Sequence, residues 1–284
     1  MIRMIAICVL LCTSLSLRAE TVLPAKTGCT RAGLQKTVDN YLDALKKGTP
    51  SLMPLASEAK YIENRKVIPF GQGIWQTPLA IDFHRSLLDV ETCETFTEII
   101  SAKSSHPYVV GTRLKIIDNK ISEVEALVTD KDDWLFNAEN YLKYSSQEKW
   151  DILPVSQRSD RQTLINVANA FFDIFSDRSA ATKVPWGIPC GRLEGGMYNN
   201  PNGDPKASCT GGPPLEGTLK ITNRRYLVDL EMGTVVGLVD FGAQNGWPDT
   251  HTFRLENGKV RYVHTLTVCP NGCALPSPKE KAKS

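Results

Sequence analysis

The chain lacks an excess of charge of either sign. Among 284 residues, 33 lysines and arginines stand against 31 aspartates and glutamates, so the formal net charge is +2. Both excess positive charges, Arg3 and Arg18, precede Glu20, and the remainder of the chain is neutral. Proteins that bind nucleic acids or anionic membranes electrostatically present a basic surface. We therefore expect neither of these as a partner.

The short motifs of metal- and nucleotide-dependent enzymes are also missing. The sequence contains no HExxH zinc motif, no GxxxxGKS/T phosphate loop and no GxSxG nucleophile elbow. Gly71 and Gly73 form a Gly-x-Gly pair without the third glycine of a dinucleotide-binding loop. Paired CxxC motifs, which hold structural zinc, are absent as well. We predict that the protein uses no metal and no cofactor.

The N-terminus has the pattern of a secretory signal peptide. Arg3 gives a short basic start, an apolar run extends from Ile5 to Leu17, and the small residue Ala19 precedes a polar chain. This run is shorter than the ~20 residues that span a bilayer. We predict a cleaved signal peptide over 1–19, a protein that is secreted or kept in the secretory-pathway lumen, and no membrane span after signal removal. An uncleaved anchor is the alternative.

Six of the eight cysteines lie beyond this segment. An even number in an exported chain is typical of disulfide bonds, although six cysteines permit 15 connectivities. Cys190 and Cys209 enclose a loop rich in glycine, proline and asparagine, and they are the pair that we predict. Cys269 and Cys273 flank a turn and can close on each other.

The second half of the chain repeats the pattern of the first. Apolar residues at helical spacing predict an amphipathic helix over 31–47, and the same spacing recurs over 161–175. Two alternating stretches, Thr112–Thr129 and Thr252–Val268, each predict a β-hairpin near the end of its half. A period of about 130 to 140 residues is too long for a solenoid, so it indicates two duplicated domains.

The aligned halves share a helix, a following loop with a glutamate, strands and a terminal hairpin. The pattern is carried in the first half by Tyr41–Leu45, Glu63, Asn64, Asp89 and Lys120–Glu125, and in the second half by Phe171–Asp173, Cys190, Arg192, Glu194, Cys209 and Asp229. This order resembles the SnoaL-like, ketosteroid-isomerase-like members of the NTF2-like superfamily. Two such copies behind a signal peptide resemble the secreted tandem SnoaL-like proteins of fungal type.

The resemblance implies an α+β fold of two tandem NTF2-like cone domains, each a curved antiparallel sheet wrapped on helices. We expect a first SnoaL/NTF2-like domain over 29–130 and a second over 160–268. A linker segment over 131–159 joins them, and a C-terminal tail covers 269–284.

Catalytic candidates lie on the terminal strand and after the first helix. Glu125 aligns with His264, and the resemblance implies that this strand directs polar side chains into the cavity. A partly desolvated carboxylate there gains a pKa suited to a general base, and an imidazole titrates near neutral pH. Tyr61 and Glu63 share a face of extended chain, so they can polarise a carbonyl and move a proton. The alternatives are a solvent-facing Glu125, a packed structural His264, and a Glu63 that accepts loop N–H groups.

Further residues are candidates for substrate binding. Trp75 and His84 are expected in the wall of the first cavity. Arg192 and Glu194 align with the Tyr61 and Glu63 positions, where they are typical of an ion pair at the rim of the second cavity.

Two polar residues near strands of the second half complete the set. Asp240 ends an apolar strand and is predicted to reach into the second cavity. His251 follows Trp247 and Pro248, and it is predicted to lie in an exposed loop.

Two classes of function are open at this stage. The resemblance implies a cofactor-independent isomerase, cyclase or dehydratase-type lyase that acts by acid–base chemistry on a small, apolar, carbonyl-containing metabolite of secondary metabolism. The alternative is a secreted, non-catalytic protein that binds a small molecule or serves as a scaffold, including one that pairs with a second copy as a homodimer. The side chains that line the two cavities discriminate between these classes.

Overall fold

The computed structural model describes residues 29–210, 219–242, 246–269 and 273. The predicted signal peptide and most of the predicted C-terminal tail lie outside the described residues. Within the described part of the chain, no helix is long and apolar enough to cross a membrane.

Each half begins with the helix that its apolar spacing predicts. Helix α1 covers Arg31–Lys47, and the Thr30 hydroxyl accepts a hydrogen bond from Gly33 N in its first turn. Helix α3 covers Arg161–Asp173, and the side chain of Asp160 caps it in the same way. Both helices bury the apolar stripe that faces their sheet.

Six strands after each helix form one sheet per half. In the first half they are β1 (Leu55–Glu63), β2 (Lys66–Ile68), β3 (Phe83–Asp89), β4 (Glu94–Ser101), β5 (Tyr108–Ile117) and β6 (Lys120–Thr129). In the second half they are β7 (Trp186–Glu194), β8 (Met197–Tyr198), β9 (Ile221–Asp229), β10 (Thr234–Phe241), β11 (Trp247–Glu256) and β12 (Lys259–Thr267). The strand orders, β2-β1-β6-β5-β4-β3 and β8-β7-β12-β11-β10-β9, repeat one topology.

The predicted α+β architecture of two tandem units is confirmed, with one difference in the sheets. Neighbouring strands are antiparallel except β1 with β6 and β7 with β12, which are parallel. The parallel pair arises because the meander of β3 to β6 brings its last strand alongside β1 in the same direction. We call α1 with β1–β6 the first repeat and α3 with β7–β12 the second repeat. The space between helix and sheet in each is the first or second cone.

Three disulfide bonds join Cys29 to Cys93, Cys190 to Cys209 and Cys269 to Cys273. The second of these is the pair that the sequence predicted. Cys93 lies in the β3–β4 turn with φ 58°, and Gly233 occupies the equivalent turn of the second repeat with φ 57°. A glycine adopts this left-handed conformation without steric penalty, which explains why it replaces the cysteine there.

The linker contains a third helix, α2 (Ala138–Ser145), which contacts both repeats. Tyr141 is fully buried and donates its hydroxyl hydrogen bond to Glu98 of β4 at 2.6 Å. Tyr144 stacks on Tyr198 of β8, with 4.6 Å between the ring centroids. The linker is therefore part of the contact between the repeats.

The two sheets pack together through the faces that are turned away from their helices, which we call the inter-repeat interface. Its apolar part includes Leu87 and Phe96 of the first repeat and Leu227, Val236 and Leu238 of the second. Burial of this surface against the other repeat removes apolar area from water and stabilises the pair.

Asp89, at the end of β3, binds groups of the second repeat. Arg161 of α3 donates two hydrogen bonds to its carboxylate, at 3.0 and 2.8 Å. The backbone N–H of Val228 donates a third, at 2.8 Å. Both oxygens of this fully buried carboxylate therefore accept hydrogen bonds from the second repeat.

Asp229, at the end of β9, makes the reciprocal contacts to the first repeat. Arg31 of α1 donates to its Oδ1 at 2.8 Å, and the backbone N–H of Leu88 donates to its Oδ2 at 2.9 Å. The aligned residues of the two repeats thus exchange equivalent bonds, as the subunits of a symmetric dimer do.

Replacing Asp229 by alanine is expected to lower the free energy of unfolding by about 3 kcal/mol, because Arg31 and the buried Leu88 N–H lose their acceptor. Denaturant unfolding followed by circular dichroism measures this change. Asp43→Ala is the matched control: its carboxylate is exposed and 4.0 Å from Lys46, and its loss is expected to change stability by less than about 0.5 kcal/mol. Equal stability of the two variants would contradict the role given to the reciprocal contacts.

Candidate active site

Glu125 lies in the inter-repeat interface, so the prediction that it faces a cone is wrong. Arg225 of the second repeat donates to both of its oxygens, at 2.8 and 2.6 Å, and Arg113 donates at 3.1 Å. Because strand residues alternate, its neighbours Val124 and Ala126 are the ones that pack in the first repeat's core. Burial raises the pKa of Glu125, but the bonds and charges of Arg225 and Arg113 outweigh it and hold the pKa below its usual value. It therefore stays ionised and is a poor general base.

His264 also lies in the inter-repeat interface instead of the second cone. Its Nδ1 is 3.0 and 3.1 Å from the two oxygens of Glu98, and its Nε2 is 2.7 Å from Glu148. Burial lowers the pKa of His264, but Glu148 and Glu98 raise it to about 9. The imidazolium therefore donates from both nitrogens, which is the packed, structural alternative for this residue.

The surroundings of His264 leave no room for an organic substrate. The cleft lined by Arg85, Glu98, Trp150 and His264 has a volume of about 10 Å³. That volume accommodates about one water molecule. The cluster therefore joins the repeats, and its perturbed pKa values report ion pairing.

The structure brings together three of the predicted residues in the first cone. The Tyr61 hydroxyl donates to Glu63, and the rings of Tyr61 and Trp75 meet edge-on with centroids 6.2 Å apart. Glu63 also accepts the backbone N–H of Ile74 at 2.8 Å. A Cβ on Gly73 would collide with this carboxylate, so glycine is required for the close approach. Glu63 thus holds a loop, as the alternative interpretation proposed.

One further predicted residue lies at the edge of the first cone, and another lies outside both cones. His84 is on the edge strand β3 opposite Ile99 of the first repeat's core, so it is on the face turned toward α1, in an exposed position. Asp240 forms an ion pair with Arg65 of the first repeat, so it belongs to the inter-repeat interface. It lies between Val239 and Phe241, which face the second cone, and the strand alternation turns it the other way.

Arg192 and Glu194 form the predicted ion pair at the end of β7. The Arg192 guanidinium lies 5.7 Å from the centre of the Phe171 ring on α3. This geometry is a cation–π contact, and it places a positive charge beside the aromatic wall of the second cone.

A buried Asp249–His251 pair in the second cone was missed from the sequence. His251 Nδ1 is 2.6 Å from Asp249 Oδ1, and both residues are 2% exposed. The Thr267 hydroxyl donates to the other oxygen of Asp249. The His251 ring contacts Phe171 and Phe253, with centroids 5.2 and 5.9 Å apart. The prediction of an exposed loop at His251 is wrong, because β11 already begins at Trp247.

Strand alternation explains why this pair faces helix α3. Asp249, His251 and Phe253 are alternate residues of β11 and share one face. The same strand register pairs Asp249 with Thr267 of β12, which brings their side chains together. The alternation Asp-x-His-x-Phe was the signal in the sequence, and Pro248 obscured it because proline usually marks a loop.

The first repeat has no equivalent of this pair. At the 139-residue offset that aligns Glu125 with His264, Thr112 takes the position of His251. Thr112 bonds the hydroxyl of Tyr41 at 2.7 Å, so it completes a core contact. Among the described residues, a buried histidine on the helix-facing side of its sheet is found only in the second repeat.

The Asp249–His251 geometry is that of an oriented imidazole. Asp249 fixes Nδ1, and Nε2 has no hydrogen-bond partner among the described residues. A carboxylate on one nitrogen sets the tautomer and stabilises the imidazolium that forms when the other nitrogen takes a proton. Across the described ranges, no three histidine, cysteine, aspartate or glutamate side chains group as a metal site.

One family model matches the second repeat. Residues 157–267 match the model of a family described as "Domain of unknown function (DUF8021)". No curated protein matches the chain.

Solved structures similar to the chain include NTF2-like proteins and a protein named as a ketosteroid isomerase. An NTF2-like protein of unknown function from Burkholderia xenovorans is 11% identical, with a TM-score of 0.30 over 42% of this chain and 96% of its own. A provisionally named ketosteroid isomerase from Kribbella flavida is 14% identical, with a TM-score of 0.27 over 35% of this chain and 80% of its own.

The His264 cluster makes stability depend on pH. Folding raises the pKa of His264 from its ordinary value of 6.5 to about 9. The protonated His264 therefore contributes its full stabilisation below pH 6.5, and this contribution is lost as the pH rises through about 9. The free energy of unfolding is expected to fall by up to about 3 kcal/mol over that window. His264→Gln is expected to start less stable and to show no such decline.

Denaturant midpoints measured from pH 6 to 10 test this dependence. His106→Gln is the control. Because His106 is exposed, this variant is expected to show the same decline in stability as wild type. Parallel curves for wild type and His264→Gln would contradict the assignment of the alkaline transition to this cluster.

Proposed function

We propose that the second cone is the active site of a cofactor-independent enzyme that moves a proton on a small, apolar, carbonyl-containing molecule. The single observation that carries the proposal is the buried Asp249–His251 pair, whose Nε2 bonds no group in the part of the chain that the structure describes. Isomerisation, cyclisation and dehydration are the reaction types that such a base supports, and a secondary metabolite is the substrate class that we favour.

The proposed chemistry assigns a separate task to each polar group. His251 Nε2 takes a proton from the carbon next to the carbonyl, and Asp249 stabilises the imidazolium that results. The electron pair moves to the carbonyl oxygen, giving an enolate. The imidazolium then returns the proton to another carbon or to a departing hydroxyl, so atoms and charge balance. Arg192, on the same aromatic wall as His251, supplies positive charge near the enolate.

A hydrophobic wall suits this chemistry. Phe171, Phe172 and Phe253 surround the His251 ring, with centroids between 5.2 and 5.9 Å. Aromatic rings exclude water and bind an apolar molecule, which strengthens the interaction of the few charges that remain.

The alternative function is a secreted, non-catalytic binding or scaffold protein. The observation that favours it is the completeness of the packing around His251, which is 2% exposed. Secretion itself is part of both proposals, on the strength of the N-terminal pattern and the three disulfide bonds. Neither proposal needs a second copy, because each sheet already covers the other.

Proton transfer can be tested before the substrate is known. A metabolite extract of the producing organism is incubated with the protein in deuterated water, and mass spectrometry detects molecules that gain deuterium or change mass. Wild type is expected to convert at least one metabolite, and His251→Phe is expected to reduce its rate by at least about 100-fold, the usual contribution of a general base.

The matched control is His106→Phe, which removes an exposed histidine outside both cones and is expected to retain the wild-type rate. Native mass spectrometry of the same mixtures reports any bound molecule. A ligand that binds wild type but is neither deuterated nor converted would favour the binding protein over the enzyme.

A further inference from the structure

A segment of the linker crosses one end of the second repeat. We call residues 132–137 the strap. Asn137 N donates to Gly195 O at 2.7 Å, and Trp134 N donates to Thr267 O at 3.4 Å. Asp133 accepts the backbone N–H of Cys269 at 2.6 Å. The strap is thus fixed to the β7–β8 turn and to the end of β12.

The β7–β8 turn is built for this contact. A Cβ on Gly195 would lie 2.0 Å from Trp134 O, and one on Gly196 would lie 2.4 Å from Asn137 O. Both glycines have positive φ, at 58° and 140°. Only a residue without a side chain allows the strap to approach so closely.

The equivalent turn of the first repeat is closed differently. Asn64 and Arg65 occupy it, also with positive φ. The Asn64 side chain bonds both backbone groups of Val128, at 3.0 and 2.8 Å, where the second repeat receives the strap. The strap is therefore specific to the repeat that contains the Asp249–His251 pair.

Trp134 joins the strap to the rim of the second cone. Its indole N–H points to Glu194 at 3.5 Å, and its ring lies 6.5 Å from that of Trp247. Trp247 is two residues before Asp249 on the same face of β11, a distance of roughly 7 Å along a strand. Thr267, which Trp134 contacts through the backbone, is also the residue that holds Asp249.

We propose that the strap, through Trp134, controls access to the Asp249–His251 pair and so determines which molecules reach the second cone. This inference rests on the proposed function for the identity of the site, although its geometry stands without the chemistry. Trp134 is half-buried and the strap has no regular secondary structure, so a few backbone bonds hold it in place. Segments with so few contacts open at lower free energy than the sheet beneath them.

Chemical labelling of the histidines tests this access without a substrate. Diethyl pyrocarbonate acylates an accessible, neutral imidazole, and peptide mass spectrometry reports the rate at each of the four histidines. Trp134→Ala is expected to raise the labelling rate of His251 about ten-fold, because the strap loses its largest side-chain contact with the second repeat. The rates at the exposed His84 and His106 are expected to stay unchanged, and the ion-paired His264 is expected to remain protected.

Two further variants keep the test decisive. Gly195→Ala leaves the indole in place but pushes the strap away, and it is expected to raise the His251 rate as well. Trp134→Phe retains a ring and is expected to stay within about two-fold of wild type. If Trp134→Ala also exposes His264, the repeats have separated. The His251 labelling rate in Gly195→Ala then decides whether the strap controls access.

An unchanged His251 rate in both Trp134→Ala and Gly195→Ala, with His264 still protected, would overturn the proposal. The outcome is independent of the deuteration experiment. A labelling response without any conversion would leave the access role and remove the catalytic one. Conversion without a labelling response would leave the catalytic role and remove the access role.

Discussion

Two buried aspartates fix how the rest of the molecule is arranged. Asp89 and Asp229 each accept hydrogen bonds from an arginine side chain and a backbone N–H of the other repeat. These bonds hold the two sheets together through the faces that are turned away from their helices. With those faces buried, strand alternation assigns every residue either to the inter-repeat interface or to a cone. His264 faces the inter-repeat interface, and His251 faces the second cone.

The sequence was sufficient for much of the fold. Helical spacing located α1 and α3, the repeat gave two units with equal strand order, and loop composition identified the Cys190–Cys209 bond. The sequence did not reveal which face of β6 and β12 is turned toward the cone, because both faces of each strand mix polar and apolar residues. The partners that decide the orientation are distant: Arg225 follows Glu125 by 100 residues, and Glu98 is 166 residues from His264.

The two repeats have the same topology, but different residues occupy their cones. In the first cone, Glu63 holds a loop and Thr112 completes a core contact with Tyr41. In the second cone the equivalent of Thr112 is His251, oriented by an aspartate and surrounded by aromatic rings. The strap reaches this cone alone. The division of 29–130 and 160–268 into separate domains stays a prediction, and the shared interface and linker argue for one cooperative unit.

The central claim is that the ligand meets His251 in the second cone. Nitrogen NMR of imidazole-labelled protein tests it most directly, since the chain has four histidines. The spectrum is recorded before and after adding the extract fraction that native mass spectrometry shows to be bound. A shift of the His251 Nε2 resonance, with His264 unchanged, is the predicted result. A shift at His264 alone, or at neither buried histidine, would contradict the account.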